Sequence, residues 1–273
     1  MPDVSIIILN YKSRGLTREC IKSFKRHPSR FSYEIIVVDN GGEKQLEETI
    51  SERFPDVHYI KLAKNVGFAR GNNVGARAAK GRYLLFANQD LTCLEGSLDT
   101  LVGFMEEHPN VALSGPRLQN PDGSIQQSYY RFYRPLTPLL RRTVFGRTPF
   151  GKRHLDRFLM RDCTMESARA VDCLMGAALC VRRSAIERVG LFDERFFFYF
   201  EDTDWCKRFW EAGFAVCYVP ESTMIHLHGR DSAKVMGFAS LANPMTRRHI
   251  KSGIQYFLKH RKNGWDRANT LVI

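Results

Sequence analysis

One stretch of the chain combines aromatic rings with carboxylates in a way that could support acid–base chemistry: residues 192–210, FDERFFFYFEDTDWCKRFW. Four of its five carboxylates are the candidates: Asp193, Glu201, Asp202 and Asp204. Placing a carboxylate in apolar surroundings costs free energy unless the group is paired or has a task. The stretch therefore contains candidates for a general base, the group that removes a proton during catalysis.

The last three of these acids directly precede a helical pattern. Apolar residues recur there at helix spacing, and a glycine stop signal follows them: Trp205, Phe209, Ala212 and then Gly213. We expect the acids at a helix N-terminus, where unsatisfied N–H groups and the helix dipole stabilise negative charge. The alternative is that Asp202 or Asp204 is only an N-cap, since Asp is a favoured cap in any protein.

Predicted elements on either side bring other polar groups to the same region. A short buried strand is predicted at residues 177–181 and another at residues 215–219. The second is followed by a predicted loop that carries His226 and His228. Carboxylates and imidazoles therefore converge late in the chain.

Residues 176–214, GAALCVRRSAIERVGLFDERFFFYFEDTDWCKRFWEAGF, resemble the acceptor half of a family 2 glycosyltransferase. These are inverting enzymes of the GT-A fold, and the resemblance is to their rhamnosyltransferase-like branch over nearly the whole chain. It implies that Asp202, which matches the Asp after Glu in the ED motif, is the general base. Asp204, in the first helical turn, is expected to stabilise the helix.

The first half of the chain alternates predicted strands and helices. Continuous apolar runs at residues 4–9, 34–38, 57–62 and 83–87 are separated by helical patterns. Strands that are apolar throughout indicate a parallel sheet covered on both faces. The fold class expected is therefore α/β, and the resemblance makes it a single GT-A-like domain with a Rossmann-like, mostly parallel central sheet flanked by helices.

Open parallel sheets bind ligands at the carboxyl ends of their strands, where Asn10, Asp39 and Asn65 fall. Asp39 could accept hydrogen bonds from a ribose or base, or serve as a turn residue. The glycine- and asparagine-rich residues 65–75 could let backbone approach a ligand, or form a helix-packing loop. The resemblance favours nucleotide-sugar contacts for both segments. The donor-site residues it implies are Asn10, Asp39, Asn65, Gly67, Asn72, Asn73 and Asn88.

The fourth predicted strand ends in Asn88-Gln89-Asp90, at the place of the family's metal-binding DXD motif. The resemblance implies a divalent metal, Mg²⁺ or Mn²⁺, held by Asp90 and His226. Such a hard cation stabilises the charge that develops on a leaving nucleoside diphosphate. Because the first two motif positions are Asn and Gln, the single carboxylate makes the ion depend more on His226.

Positive charge is concentrated in two regions of this chain of 273 residues, whose net charge is +12. Residues 124–170 carry ten Lys or Arg against three Asp or Glu, and residues 247–267 carry seven against one. Such patches attract phosphate, an anionic membrane or nucleic acid. Residues 128–158 interleave rings with arginines and suit lipid headgroups, a polyprenyl diphosphate or a solvated arm. Without a nucleic-acid motif, no nucleic-acid partner is expected.

A basic helix is predicted at residues 247–262, with an apolar face that we expect to pack on the domain while the charges attract headgroups. That face comprises Ile250, Ile254, Phe257 and Leu258. The predicted division is a glycosyltransferase domain at 1–240, with a donor half at 1–115 and an acceptor half at 116–240, and a basic helical extension at 241–273.

The sequence lacks an apolar run of the ~20 residues that a membrane helix needs, and no signal peptide is predicted. Seven cysteines without CxxC spacing argue against a disulfide framework or zinc ribbon. We expect a cytoplasmic protein, peripherally associated with the cytoplasmic face of the membrane.

The function expected from the resemblance is inverting transfer of a sugar, best rhamnose from dTDP-rhamnose, to a saccharide acceptor that is lipid-linked, in cell-surface polysaccharide synthesis. A UDP- or GDP-sugar donor is an alternative. A non-enzymatic scaffold that binds polyanions or membranes is a second. A nucleotidyltransferase is disfavoured because residues 10–16, NYKSRGL, lack the expected phosphate loop.

Overall fold

The computed structural model describes residues 1–43, 45–164, 166–227 and 243–261. The strands are β1 (Val4–Asn10), β2 (Tyr33–Asp39), β3 (His58–Lys61), β4 (Tyr83–Asn88), β5 (Leu91–Cys93), β6 (Val111–Gln119), β7 (Tyr129–Tyr130), β8 (Arg169–Ala170), β9 (Cys173–Leu174), β10 (Ala178–Arg182) and β11 (Ala215–His226). The helices are α1 (Arg14–Arg26), α2 (Leu46–Arg53), α3 (Phe68–Ala78), α4 (Ser97–Glu107), α5 (Thr137–Arg142), α6 (Pro149–Phe158), α7 (Arg183–Val189), α8 (Glu201–Glu211) and α9 (Pro244–His260), with a 3₁₀ turn at Val144–Arg147.

A nine-stranded sheet forms the centre of the fold, in the order β3-β2-β1-β4-β10-β6-β11-β5, with β8 beside β11. Strands β3, β2, β1 and β4 are parallel, and β11 is parallel to β6. Strand β10 runs antiparallel to both of its neighbours. All seven residues of β1 are buried, as a strand covered on both faces requires. The predicted α/β class with a mostly parallel sheet is confirmed.

The register of the parallel strands brings their polar ends to one edge. Asn10 pairs with Asp39 on β2, while Leu9 pairs with Asn88 on β4. Because these strands run in the same direction, their last residues lie side by side. The edge that sequence reasoning selected for ligand binding is therefore formed by strands β2, β1 and β4.

Strand β11 is longer than predicted and places His226 differently. The expected strand ended at 219 and left His226 in a loop, whereas β11 continues to His226, which pairs with Leu91. A register shift between Val219 and Thr223, around Pro220, breaks the apolar pattern and explains the error. His228 lies outside the described residues.

The structure does not support the alternative that Asp202 or Asp204 is the N-cap of α8. The cap position is Phe200, so Asp202 and Asp204 lie inside the first turn and neither is the N-cap. Tyr199 and Phe200 both have left-handed backbone, with φ of +73° and +68°. Such a conformation is uncommon for aromatic residues and must be held by packing. The Phe200 ring lies 5.4 Å from that of Tyr256 on α9.

The packing face predicted for the C-terminal helix is wrong. Three of its four apolar residues are exposed, at 40%, 55% and 60%: Ile250, Ile254 and Leu258. Helix α9 instead buries a largely polar face: Thr246, Ser252, Gly253, Tyr256 and His260. A side chain at Gly253 would meet the Phe200 ring at 3.3 Å, so a small residue is needed there. The predicted boundary at 240/241 lies outside the described residues.

Residues 131–163 form a helical arm of α5, the 3₁₀ turn and α6. Phe132, Leu140 and Phe158 are buried, whereas Leu139, Phe145 and Phe150 are 53–66% exposed. The arm is therefore anchored by a few buried apolar side chains, and it exposes other apolar side chains to solvent. Among the described residues there is no helix of the length and apolarity needed to cross a membrane.

Candidate functional site

The first part of the site is a buried network at the ends of β1 and β2. Both Asn10 and Asp39 have no exposed surface. Asp39 accepts hydrogen bonds from Asn10 Nδ2 at 3.2 Å, from the Glu43 N–H at 2.9 Å and from the Tyr59 hydroxyl at 2.9 Å. Burial and this hydrogen bond raise the pKa of Tyr59. Asp39 thus fixes the turn after β2, and its contact with a nucleoside stays a prediction.

Glu43 is a partner that sequence reasoning missed. One carboxylate oxygen accepts from Asn10 Nδ2 at 3.2 Å, and the other accepts from the N–H of Arg14 at 3.1 Å, at the start of α1. Glu43 follows Gly41 and Gly42, in the turn after β2. Its position four residues after Asp39 gives no periodic signal by which it could have been found.

Asn40 organises the predicted loop at 65–67. Its amide donates to Asn65 Oδ1 at 3.2 Å and to the Gly67 carbonyl at 3.1 Å, while its Oδ1 accepts from Val66. Gly67 has φ +92°, and a Cβ there would lie 2.5 Å from the carbonyl oxygen of Phe197. The glycine is therefore required for close approach of the 196–200 segment, which directly precedes the acids of α8.

Asn72 and Asn73 are buried on α3, where they have structural partners. Asn72 donates to the Phe68 carbonyl at 3.1 Å, within its own helix. Asn73 donates to the carbonyl of Phe192 at 2.9 Å and accepts the Phe192 N–H at 3.1 Å. The loop expected at 65–75 is thus mostly helix, and Asn73 fastens the aromatic segment to the donor half.

A second cluster forms where β4 ends beside β11. His226 Nε2 lies 3.4 Å from Asp90 Oδ1 and 3.5 Å from Asn88 Nδ2. The backbone joins them too, because the Leu227 N–H donates to the Asp90 carbonyl at 3.1 Å. The side chain of Asp90 is 19% exposed and that of His226 only 3%. The structure thus brings together the two residues predicted as metal ligands.

Gln126 orients the imidazole of His226 from the side opposite Asp90. Its Oε1 lies 3.0 Å from His226 Nδ1, and its Nε2 donates to the His226 carbonyl at 2.6 Å. Asn120 Oδ1 accepts from the same amide nitrogen at 2.6 Å. Because Oε1 is an acceptor, this contact requires a hydrogen on Nδ1, and Nε2 is left facing Asp90. Gln126 is 100 positions away in sequence, so no local pattern could have identified it.

The donor set at this cluster fits a hard divalent cation that is shared with a ligand. Asp90 offers carboxylate oxygens, His226 an imidazole nitrogen and Asn88 an amide oxygen. The part of the chain that the structure describes contains no group of three His, Cys, Asp or Glu residues able to hold a metal. An ion such as Mg²⁺ retains several other oxygen ligands, including substrate phosphates, which agrees with so small a protein set.

Asp202 lies in the first turn of α8 and is partly exposed. Its Oδ2 accepts from the Gly176 N–H at 2.9 Å, and its Oδ1 accepts from the Thr203 N–H at 2.7 Å. Burial raises its pKa above the ordinary value, against these hydrogen bonds, which lower it. A positioned carboxylate with a raised pKa has the properties of a general base.

The metal-ligand cluster and Asp202 are joined by two consecutive residues. Gly176 donates to Asp202, and the carbonyl of Ala177 accepts the N–H of Asn88 at 2.9 Å. The last residue of β4 and the first turn of α8 are therefore both held by the same loop before β10. This geometry places the Asp202 carboxylate next to the edge that carries Asn88 and Asp90.

The two neighbouring acids have different surroundings. Glu201 is 4% exposed, its Oε2 has no hydrogen-bond partner among the described residues, and burial raises its pKa well above the ordinary value. Burial therefore disfavours the charged form of this carboxyl group. Asp204 is fully buried but ionised, with Arg208 Nε at 2.9 Å and His260 Nε2 at 2.8 Å. Lys259 also pairs with it at 2.6 Å.

Arg141 is a further residue near Asp202 that sequence reasoning did not single out. Its guanidinium carbon lies 5.5–6.0 Å from the ring centres of Tyr130, Tyr133 and Phe158. It also donates to the Tyr133 hydroxyl at 2.5 Å. Burial raises the pKa of Tyr133, and the nearby Asp202 charge adds to this effect. The alternation of rings with arginines was the only signal in the sequence.

The amino-acid sequence of this chain is similar to those of known proteins. The profile of "Glycosyl transferase family 2" matches residues 5–173. The chain is 30% identical over 249 residues to an N-acetylglucosaminyl-diphospho-decaprenol L-rhamnosyltransferase of Mycobacterium tuberculosis, covering 86% of this chain and 77% of that protein. It is 27% identical over 235 residues to a dTDP-rhamnosyl transferase of Shigella flexneri, covering 84% and 71% of the two chains.

Solved structures share the fold. A mannosyltransferase from Pyrobaculum calidifontis in complex with GDP-Man and Mn²⁺ superposes with a TM-score of 0.62 at 16% identity, over 96% of this chain and 65% of that one. The S. aureus TarS 1–349 fragment in complex with UDP gives 0.56 at 16% identity, over 82% and 60%. At such identities the likeness concerns the fold, and it confirms the expected GT-A-like architecture.

Proposed function

Because this chain belongs to glycosyl transferase family 2, we propose that it is an inverting enzyme that moves a sugar from a nucleoside-diphosphate donor to a hydroxyl of a saccharide acceptor. One observation carries the proposal. The carboxylate of Asp202, partly exposed and with a raised pKa, is held by Gly176 beside the strand end that carries Asn88 and Asp90. A base and a site for a charged leaving group are thus adjacent.

Asp202 would take the proton of the acceptor hydroxyl as its oxygen attacks the anomeric carbon. Hydrogen bonds from Gly176 and Thr203 orient both carboxylate oxygens, so the base requires little rearrangement. The bond from the sugar to the diphosphate breaks on the opposite face of that carbon, and the nucleoside diphosphate leaves. A single displacement of this kind inverts the configuration at the anomeric carbon.

Asp90 and His226 would hold a divalent cation, Mg²⁺ or Mn²⁺, with Asn88 beside them. When bound, the ion supplies electrostatic stabilisation of the charge on the departing diphosphate. Gln126 keeps the His226 ring in the orientation that presents Nε2 to Asp90. At the neighbouring strand ends, Asn10, Asp39, Asn65 and Gly67 shape the turns on which the nucleoside would rest.

For the donor, dTDP-rhamnose is the sugar nucleotide best supported. Two relatives are named as rhamnosyl transferases, and one of these names specifies dTDP. The nearby solved structures contain GDP-Man or UDP, so UDP- and GDP-sugars are the alternatives to include in any assay.

For the acceptor, a saccharide on a lipid diphosphate is supported by the name of the M. tuberculosis relative. We propose that the protein reaches it as a peripheral protein on an anionic membrane surface, at the cytoplasmic face. The exposed face of α9 combines apolar residues with positive charge: Arg247, Ile250, Lys251, Ile254, Leu258 and Arg261. A helix of this composition suits the boundary between headgroups and acyl chains.

The test is a screen of dTDP-, UDP- and GDP-sugars for thermal stabilisation, with and without Mg²⁺ or Mn²⁺. A nucleotide sugar that stabilises the protein is then assayed for acceptor-dependent release of its nucleoside diphosphate. Asp90→Asn should remove the metal-dependent part of the stabilisation and leave the metal-independent part. Absence of stabilisation by every nucleotide sugar, with or without metal, would refute the proposal.

A further inference from the structure

A cleft of about 970 Å³ opens in the helical arm, between residues 131–134 and helix α6. Six of its lining side chains are basic: Arg131, Arg134, Lys152, Arg153, Arg157 and Arg161. Three are acidic: Asp156, Asp162 and Asp172. No residue that we assigned to the donor, the metal or the base lines this cleft, so it is a separate feature of the molecule.

The acids of the cleft are already engaged with particular partners. Asp162 pairs with Arg131 at 3.0 Å, and Asp156 pairs with Arg161 at 2.6 Å. Asp172 accepts the N–H of Phe132 at 2.9 Å.

Positive charge therefore remains in excess on α6. Within the described part of the chain, no carboxylate lies within ion-pair distance of Lys152, Arg153 or Arg157, and all three are exposed. The pKa of His154, which lies between these residues, reflects the excess of positive charge. Burial lowers its pKa, and the charges of Arg134 and Arg157 lower it further. The local potential therefore favours an anion.

A chain of contacting rings connects the cleft to the segment that precedes Asp202. Phe158 lines the cleft, stacks on Tyr130 with ring centres 5.3 Å apart and lies 4.6 Å from Tyr133. Tyr133 in turn lies 4.9 Å from Phe200, two residues before Asp202. Tyr133 is partly exposed, whereas Phe158 and Phe200 are buried, so a ligand that occupies the cleft could extend over the Tyr133 ring towards Asp202.

We propose that this cleft binds the diphosphate group of the acceptor while the attached sugar reaches Asp202, an inference that rests on the proposed function. Lysine and arginine side chains suit a diphosphate, because a guanidinium donates two parallel hydrogen bonds to phosphate oxygens. Phe150 at the cleft is 66% exposed, so an apolar chain attached to the diphosphate has a surface along which to leave.

The first test measures binding of inorganic pyrophosphate to the purified protein by calorimetry. The variant Lys152→Ala/Arg157→Ala should weaken binding about 10- to 100-fold, as expected for loss of charge-assisted hydrogen bonds. Arg147→Ala is the matched control, since Arg147 is an exposed arginine of the same arm that does not line the cleft. Equal pyrophosphate binding by the double variant and the native protein would overturn the proposal.

The second test compares two acceptors that carry the same sugar, one on a short alkyl diphosphate and one on a neutral alkyl chain. The double variant should raise the KM for the diphosphate acceptor about 10- to 100-fold and leave kcat and the KM for the neutral acceptor unchanged. An equal change for both acceptors would overturn the proposal. So would a change confined to the donor KM, which would assign the cleft to the nucleotide.

Binding to anionic vesicles distinguishes a cleft that binds membrane headgroups from a cleft that binds the acceptor diphosphate. If the double variant loses binding to anionic vesicles but keeps its KM for the detergent-soluble diphosphate acceptor, the cleft binds headgroups and the proposal is wrong. Failure of the proposed function is distinguishable from all of these results, because the native protein would then transfer no sugar to either acceptor while pyrophosphate binding could still be measured.

Discussion

The backbone N–H of Gly176 donates a hydrogen bond to Asp202 Oδ2 at 2.9 Å, across 26 positions of sequence. Gly176 precedes Ala177, whose carbonyl holds Asn88 at the end of β4. The Asp202 carboxylate, the proposed base, is thereby held by the central sheet as well as by its own helix. A carboxylate positioned in this way can act on a hydroxyl at a fixed distance from the leaving-group site.

Gln126 is predicted to act on the metal through His226. Gln126→Leu removes the acceptor for Nδ1–H and frees the ring to rotate, so metal affinity should fall about 10- to 100-fold, as for other lost partners of ligating histidines. Calorimetric titration of Mn²⁺ in the presence of nucleoside diphosphate measures this directly. Gln127→Leu is the control, because Gln127 bonds to the Tyr129 carbonyl and not to His226. Unchanged Mn²⁺ affinity in Gln126→Leu would show that Gln126 does not position a metal ligand.

The sequence predicted the polar residues that stand at the ends of apolar strands. It did not predict the residues whose partners are distant in the sequence. Asn10 and Asp39 were predictable because apolar runs end at them and parallel strands align their ends. Gln126 was not, since its partner is 100 positions away. The buried face of α9 was misassigned because small and polar residues such as Ser252 and Gly253 pack against rings, while the apolar stripe faces outwards.

The partners of Asp204 could not be predicted either, because they too are distant in the sequence. Its position in the first turn of α8 indicated only a favourable charge at a helix N-terminus. Its partners Lys259 and His260 lie more than fifty positions later, on a helix whose docking could not be inferred from periodicity. The structure shows that Asp204 ties α9 to α8.

This tie predicts a pH-dependent stability. Burial opposes the charge on His260, but the hydrogen bond to Asp204 and the nearby Glu211 carboxylate, 3.6 Å from Nδ1, outweigh it and raise its pKa above the ordinary 6.5. A raised folded-state pKa gives stability that is fully present below the unfolded value and is lost as pH rises through the folded value. The free energy of unfolding should therefore fall as pH rises above 6.5.

Urea unfolding over a pH series measures that decline, and His260→Gln should flatten it. His58→Gln, on exposed β3, should leave it in place. On the acid side, burial resists ionisation of Asp204, but His260, Arg208 and Lys259 lower its pKa. Its contribution should be lost only as pH falls below 3.8. An equally steep decline above pH 6.5 in His260→Gln would contradict the assignment.

The exposed stripe of α9 predicts membrane binding that salt only partly reverses. Each basic residue near an anionic surface contributes about 1 kcal/mol, and full burial of an Ile or Leu side chain contributes about 1.5–3 kcal/mol. Replacing Ile250, Ile254 and Leu258 by Ser should abolish cosedimentation with anionic vesicles in high salt. Arg247→Gln/Lys251→Gln should reduce binding mainly in low salt. Native-like binding of the triple variant in high salt would exclude insertion of this stripe.

The most direct measurement of the central claim compares Asp202→Asn with Glu201→Gln in the same transfer assay. Asp202→Asn removes basicity at little change in shape, although its amide nitrogen must face one of two N–H donors, so a stability loss of about 1 kcal/mol is expected. Glu201→Gln replaces the neighbouring carboxyl group, whose charged form is disfavoured by burial, and serves as the matched control. We predict that Asp202→Asn retains donor binding and loses transfer by about 100- to 10,000-fold, while Glu201→Gln transfers sugar at close to the native rate. Near-native transfer by Asp202→Asn would contradict the account.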